Sequence, residues 1–68
     1  MIKANEKIMV YIGSGKYRVG ILDIVGKSHY LKDETSGSTY GPYFDIEIEA
    51  YNEDEINARR QVETSNAF

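Results

Sequence analysis

Four groups of residues in this chain have types and spacings that could support chemistry. The first is Gly13-Ser14-Gly15-Lys16-Tyr17, two glycines and a cation in the manner of a phosphate-cradling loop. Such a loop needs four residues between its first glycine and the Gly-Lys pair, then a serine or threonine for magnesium. Here Ser14 alone intervenes and Tyr17 follows the lysine. The segment therefore reads as a tight turn between strands, its glycines supplying positive φ. The second group is Ser28, His29 and Asp33, a hydroxyl, an imidazole and a carboxylate. Neighbouring residues of a strand point to opposite faces, so Ser28 and His29 cannot act on one substrate. No other pair has the spacing of a nucleophile and its base, and the chain is expected not to be an enzyme.

The third group is acidic: Asp45, Glu47, Glu49, Glu53, Asp54 and Glu55. On an extended strand the first three would stand in a row roughly 6.6 Å apart. Such a row could imitate a nucleic acid or steer a basic partner. The plainer reading is a solvated strand face followed by a helix start that favours acids. Alternate carboxylates on a strand do not converge on a calcium ion. The fourth group is tyrosine, six of 68 residues with no tryptophan. Tyr11, Tyr43 and Tyr51 are expected to face away from the aliphatic set of their strands. They would serve either an interface, where tyrosine buries large area at low entropy cost, or a second small core beneath a helix.

The elements that must position these groups follow from pattern. Lys7 to Ile12 alternates with period two and reads as a strand. After the Gly13–Lys16 turn, Tyr17 to Val25 is a second strand rich in β-branched residues, with Gly20 at its middle. A central glycine suggests a bend, and a bent strand can close a small barrel. Gly26-Lys27-Ser28 is a turn, His29 to Asp33 a short third strand, and Glu34 to Gly41 a loop. Pro42 is expected to open a fourth strand, Tyr43 to Tyr51. Its Phe44, Ile46, Ile48 and Ala50 would be core, opposite an exposed stripe of Tyr43, Asp45, Glu47, Glu49 and Tyr51. Asn52 reads as a helix N-cap, with Glu55 at capping-box spacing. About two turns of helix are expected, packed through Ile56. The expected whole is one domain over residues 1–63 with a frayed tail over 64–68, mainly β: a small barrel of four or five bent antiparallel strands with a short C-terminal helix.

Composition narrows the classes further. Absent cysteine excludes a disulfide framework and a thiolate zinc site, and a single histidine excludes a multi-histidine metal site. No cofactor is expected. No apolar run approaches the ~20 residues of a membrane span, and Met1 to Lys7 is too polar for a signal peptide, so a cytoplasmic protein without a membrane partner is expected. Charge is divided between the halves. Residues 1–32 carry six cations against two acids, and residues 33–68 carry two arginines against nine acids, so +4 and −7 compose the net −3. Only the first half could offer phosphate a basic face.

Punctuation of this kind resembles SH3-like small barrels. The segment Ile8 to Leu31 also resembles the first motif of Sm-like (Hfq-type) proteins. Ile8, Val10 and Ile12 alternate, Gly15 and Gly20 stand five apart, and Ile21-Leu22 follows. KOW-type domains share this spacing. The resemblance implies a barrel, and in the Sm-like case RNA binding and a ring oligomer. Asp45, Glu47 and Glu49 occupy the region where the Sm-like pattern carries a basic-histidine pair. The compact acidic character is similar to small phage-encoded inhibitor proteins, whose place would be the host cytoplasm.

Two functions are expected from these residues. The first is a non-enzymatic module that binds a protein with a basic surface through Tyr43, Asp45, Glu47, Glu49, Tyr51, Glu53 and Asp54. The alternative is an RNA- or nucleotide-binding barrel using Lys16, Tyr17, Arg18, Lys27 and Lys32, with a homo-oligomeric ring as its assembled form.

Overall fold

The computed structural model of the chain describes residues 2–65, the last five of them as backbone alone. Five strands form one sheet: β1 (Lys7–Gly13), β2 (Lys16–Val25), β3 (Ser28–Lys32), β4 (Thr39–Tyr43) and β5 (Ile48–Ala50). A one-turn 3-10 helix, Asp45–Glu47, joins β4 to β5, and α1 (Glu53–Ser65) follows. The spatial order is β4-β3-β2-β1-β5, with every neighbouring pair antiparallel.

β2 is the axis of this arrangement. Its first half pairs with β1 and its second half with β3, and Ile21 is shared, lying opposite both Lys7 and Lys32. The hairpin between β1 and β2 turns through Ser14 and Gly15, at φ 53° and 72°. Two successive positive φ values are the type I′ pattern, whose twist matches that of the flanking strands.

One face of the sheet carries the main core: Ile8, Val10, Leu22, Leu31 and Ile48, with Ile2, Tyr40 and Tyr43 packed against it. Gly20 lies on this face, directly opposite Ile8. A Cβ at Gly20 would collide with the Lys32 carbonyl oxygen and stand 2.6 Å from Leu31 Cδ2. The glycine is therefore required by the closeness of β3. Curling of the sheet also brings Arg18 of β2 across to β4. Its guanidinium lies 3.9 Å from the Tyr40 ring centroid, and Nη1 donates to Tyr43 Oη at 3.4 Å.

The curl stops short of a barrel. β4 and β5 are the two edges of the sheet, and no ladder joins them. Both are poor partners for closure. β5 has three residues, all engaged with β1, and β4 contains Pro42, which lacks an N–H, beside a register shift opposite His29–Leu31. The expected barrel is thus an open, curled five-stranded sheet.

The expected fourth strand is corrected as well. Pro42 lies within β4 rather than before it, and Tyr43 to Tyr51 is not one strand. Its first part is the 3-10 turn, closed by Glu47 N–H to the Phe44 carbonyl at 2.9 Å, while Phe44 N–H donates to Glu47 Oε1 at 2.8 Å. Ile48 is core, opposite Val10, but Phe44 and Ile46 are 78% and 91% exposed. The chain here must pass from one edge of the sheet to the other, and a straight strand cannot make that journey.

Asn52 caps α1 as its type predicts, accepting from the Glu55 N–H at 3.2 Å. The helix runs to Ser65, longer than two turns, and Ile56 is its buried residue among those whose side chains are described. Of the tail 64–68, Thr64 and Ser65 are helical and residues 66–68 lie outside the described residues.

Candidate functional site

The second face of the sheet carries α1, and aromatic and charged side chains fasten it there. Tyr11 and Tyr17 are cross-strand neighbours, their rings edge to face with centroids 5.2 Å apart. The Arg59 guanidinium lies 4.5 Å from the Tyr11 centroid, and its Nε donates to Tyr17 Oη at 3.0 Å. Tyr17 in turn reaches Glu55 Oε2 at 3.5 Å. Tyr11 Oη accepts from the Gly15 N–H at 3.0 Å, tying the cluster to the hairpin turn. Met9, opposite Val19 on β2 and Glu49 on β5, is fully buried on this face. Of the tyrosines expected to face away from the main core, Tyr11 does, against Arg59 of the helix and still 37% exposed. Tyr43 does not, since it packs on the main core. Tyr51 stands under Lys7, whose Nζ is 4.5 Å from its ring centroid.

The acidic residues are dispersed over three elements. Asp45 and Glu47 lie on the 3-10 turn, exposed. Glu49 is on β5, paired with Met9 and so on the helix side. Glu53 and Asp54 are in the first turn of α1. The regular row of three carboxylates does not exist, because the turn breaks the strand that would have spaced it. The basic residues of the nucleic-acid alternative are dispersed too. Lys16 begins β2 and Lys27 follows its other end, roughly 30 Å away at strand rise. Tyr17 is held by Arg59, Arg18 lies on the opposite face between Tyr40 and Tyr43, and Lys32 ends β3. Ser28, His29 and Asp33 do not meet as a triad either. Asp33 Oδ1 accepts from the Thr35 and Ser36 amides at 2.8 and 2.9 Å, and those bonds hold its carboxyl below the usual range while ordering the β3–β4 loop.

Glu49 is the acid with an unusual environment. A hydrogen bond with the Glu55 carboxyl, helped by partial burial and by the charge of Glu55, raises its pKa above the ordinary 4.5. A carboxyl raised in the fold adds stability that is complete below the unfolded value and is lost as pH climbs through the folded value. Glu49→Gln keeps a hydrogen bond to Glu55 and removes the repulsion. The variant is expected to melt higher than wild type at pH 7 and level with it near pH 4, by a small, salt-sensitive margin because the site is largely solvated. Melting curves at the two pH values check this; an equal difference at both would show that charge is not the cause.

What remains in solvent is the third feature. Phe44 and Ile46 project from the β4–β5 turn, with Asp45 between them and Glu47 after. Val25, at the far end of β2, is also exposed, 61%. The exposed apolar pair on a self-capped turn was not legible from alternation, which assigned both residues to the core. Their signal, if any, was the acid placed on either side of Ile46.

These features define a small five-stranded antiparallel sheet with a C-terminal helix, built on one thin core. No family model, curated protein or solved structure is significantly similar to the chain. Among the described residues no three His, Asp or Glu side chains converge as a metal site, and no helix is long and apolar enough to cross a membrane.

Proposed function

We propose that this chain is a non-enzymatic module that binds another protein through the Phe44–Glu47 turn. The observation that carries this reading is the exposure of Phe44 and Ile46 on a turn closed by its own hydrogen bonds. A single exposed apolar side chain is ordinary. An aromatic and a branched aliphatic, two residues apart and held rigid, are the shape of interface anchors that fill pockets on a partner. Asp45 and Glu47 set the partner's chemistry: an apolar pocket rimmed by lysine or arginine. Of the residues first read as the contact surface, Asp45 and Glu47 belong to this turn. Glu49 is committed to α1 through Glu55, and Tyr51 to Lys7. The meander β1-β2-β3-β4 with β5 returning beside β1 supports an SH3-like reading of the fold, in an opened form.

The test compares immobilised wild type, Phe44→Ala/Ile46→Ala and Asp45→Lys for the proteins each retains. A partner held by wild type is expected to bind the double-alanine variant at least ~30-fold more weakly, the scale of losing an interface anchor. Asp45→Lys is expected to slow association and weaken its salt dependence. Both variants are expected to melt within ~0.5 kcal/mol of wild type, as surface substitutions do. Equal retention by the double-alanine variant would overturn the proposal, as would a wild-type dimer in sedimentation that this variant dissociates, since the turn would then serve self-association.

A further inference from the structure

Phe44 and Ile46 stand in solvent, so packing does not set the direction of either side chain; the backbone that carries them does. Both ends of that backbone are fixed. Upstream, Tyr43 packs on the main core, and its Oη accepts from Arg18 Nη1 at 3.4 Å. Downstream, Ile48 is buried opposite Val10, and its N–H donates to the Asp45 carbonyl. Between these points Phe44 is extended, at φ −73° and ψ 149°, and lies just outside the 3-10 turn. Two hydrogen bonds join it to the turn, and both lead to Glu47. The Glu47 N–H donates to the Phe44 carbonyl at 2.9 Å, and Glu47 Oε1 accepts from the Phe44 N–H at 2.8 Å. The first N–H groups of a helical turn have no backbone partner within it, and here the Glu47 side chain supplies one. A carboxylate acceptor makes such a bond stronger than a neutral one does.

Resting on the reading of this turn as the contact surface, we infer that Glu47 is a positioning residue, whose side chain locks the Phe44 backbone and so fixes the directions of Phe44 and Ile46 relative to each other before a partner arrives. Anchors already ordered in the free protein spare binding the cost of ordering them. The charge of Glu47 stays at the rim, but the turn depends on its length. Substitution separates the two. Glu47→Gln keeps the length and an acceptor oxygen and loses the charge. Glu47→Asp keeps the charge and is one methylene, about 1.5 Å, too short to reach the Phe44 amide. Glu47→Ala loses both.

The experiment measures amide exchange at Phe44 and backbone amide order parameters over residues 44–47 by NMR, in the full chain and its three Glu47 variants. In Glu47→Ala and Glu47→Asp the Phe44 amide is expected to exchange about ten-fold faster than in wild type, the scale of losing a hydrogen bond to a charged group. Order parameters in the turn are expected to fall from about 0.85 to below ~0.6. Glu47→Gln is expected to stay within about three-fold of wild-type exchange and to keep the turn ordered. All three variants should melt within about 4 °C of wild type, because the side chain is exposed and the change is local. A partner retained by wild type is expected to bind Glu47→Ala about ten-fold more weakly although Phe44, Asp45 and Ile46 are intact, and Glu47→Gln is expected to restore most of the loss. Equal protection of the Phe44 amide in Glu47→Ala would overturn the inference, as would order retained in Glu47→Asp and lost in Glu47→Gln, since charge and not reach would then hold the turn. Either result leaves the contact surface standing; that reading fails instead on equal retention by Phe44→Ala/Ile46→Ala.

Discussion

Leu31→Ala is expected to remove most of the stability of this protein. Leu31 is 0% exposed, lies opposite Leu22 on β2 and Tyr40 on β4, and touches the spot where Gly20 lets β3 approach. Truncating a fully buried leucine costs about 2–5 kcal/mol, the range reflecting how far the site can collapse. Collapse is hindered here, because the neighbouring backbone is fixed by ladders on both sides of β3. A chain of this length has roughly 3–10 kcal/mol in total. The expected loss of about 3–4 kcal/mol would leave a marginal fold with a shallow or absent urea transition. A loss under ~1 kcal/mol would mean that Leu31 is not the centre of the core.

Gly20→Ala is expected to be destabilising as well, against the usual sign. In a strand, replacing glycine by alanine ordinarily gains roughly 0.5–1 kcal/mol. The new Cβ would meet the Lys32 carbonyl oxygen and Leu31 Cδ2, and the first of these is backbone that can move only if β3 moves. Overpacking of this kind costs about 1–3 kcal/mol, so the clash outweighs the propensity gain and a net loss of about 1 kcal/mol is expected. Urea titration of single and double variants checks the cause. Leu31→Ala relieves the side-chain part of the clash and not the carbonyl part, so Gly20→Ala/Leu31→Ala should lose less than the two changes separately. Strict additivity, or a stabilised Gly20→Ala, would show that the close approach of β3 does not exist.

Much of the sheet was legible because its signals are local. Alternation at Lys7–Ile12 and Tyr17–Val25, and the glycine turns between them, gave three strands whose ends match within one residue. Asn52 gave the helix start, and Ile56 its buried contact. The failures share one physical origin. Alternation in Tyr43–Tyr51 describes which side of an extended chain is apolar, and says nothing about whether the chain has a neighbour to pair with. Phe44 and Ile46 have none, since the segment is crossing between edges, so residues patterned like core stand in water. The clamp of Arg59 on Tyr11 and Tyr17 joins residues more than 40 positions apart, and no periodic pattern encodes it. Closure of the barrel failed for a related reason. The special place of Gly20 was legible, but the blunt edges contributed by Pro42 and by the shortness of β5 appear only when strand order is known.

The account rests on Phe44 and Ile46 being solvated anchors on an ordered turn. Proton NOEs from the Phe44 ring and the Ile46 methyls in the free protein test this most directly. Contacts confined to their own turn, together with a slowly exchanging Glu47 amide, are the predicted result. Strong NOEs from either side chain to Val10, Leu31 or Ile48 would place the pair inside a closed barrel and leave no such surface to bind with.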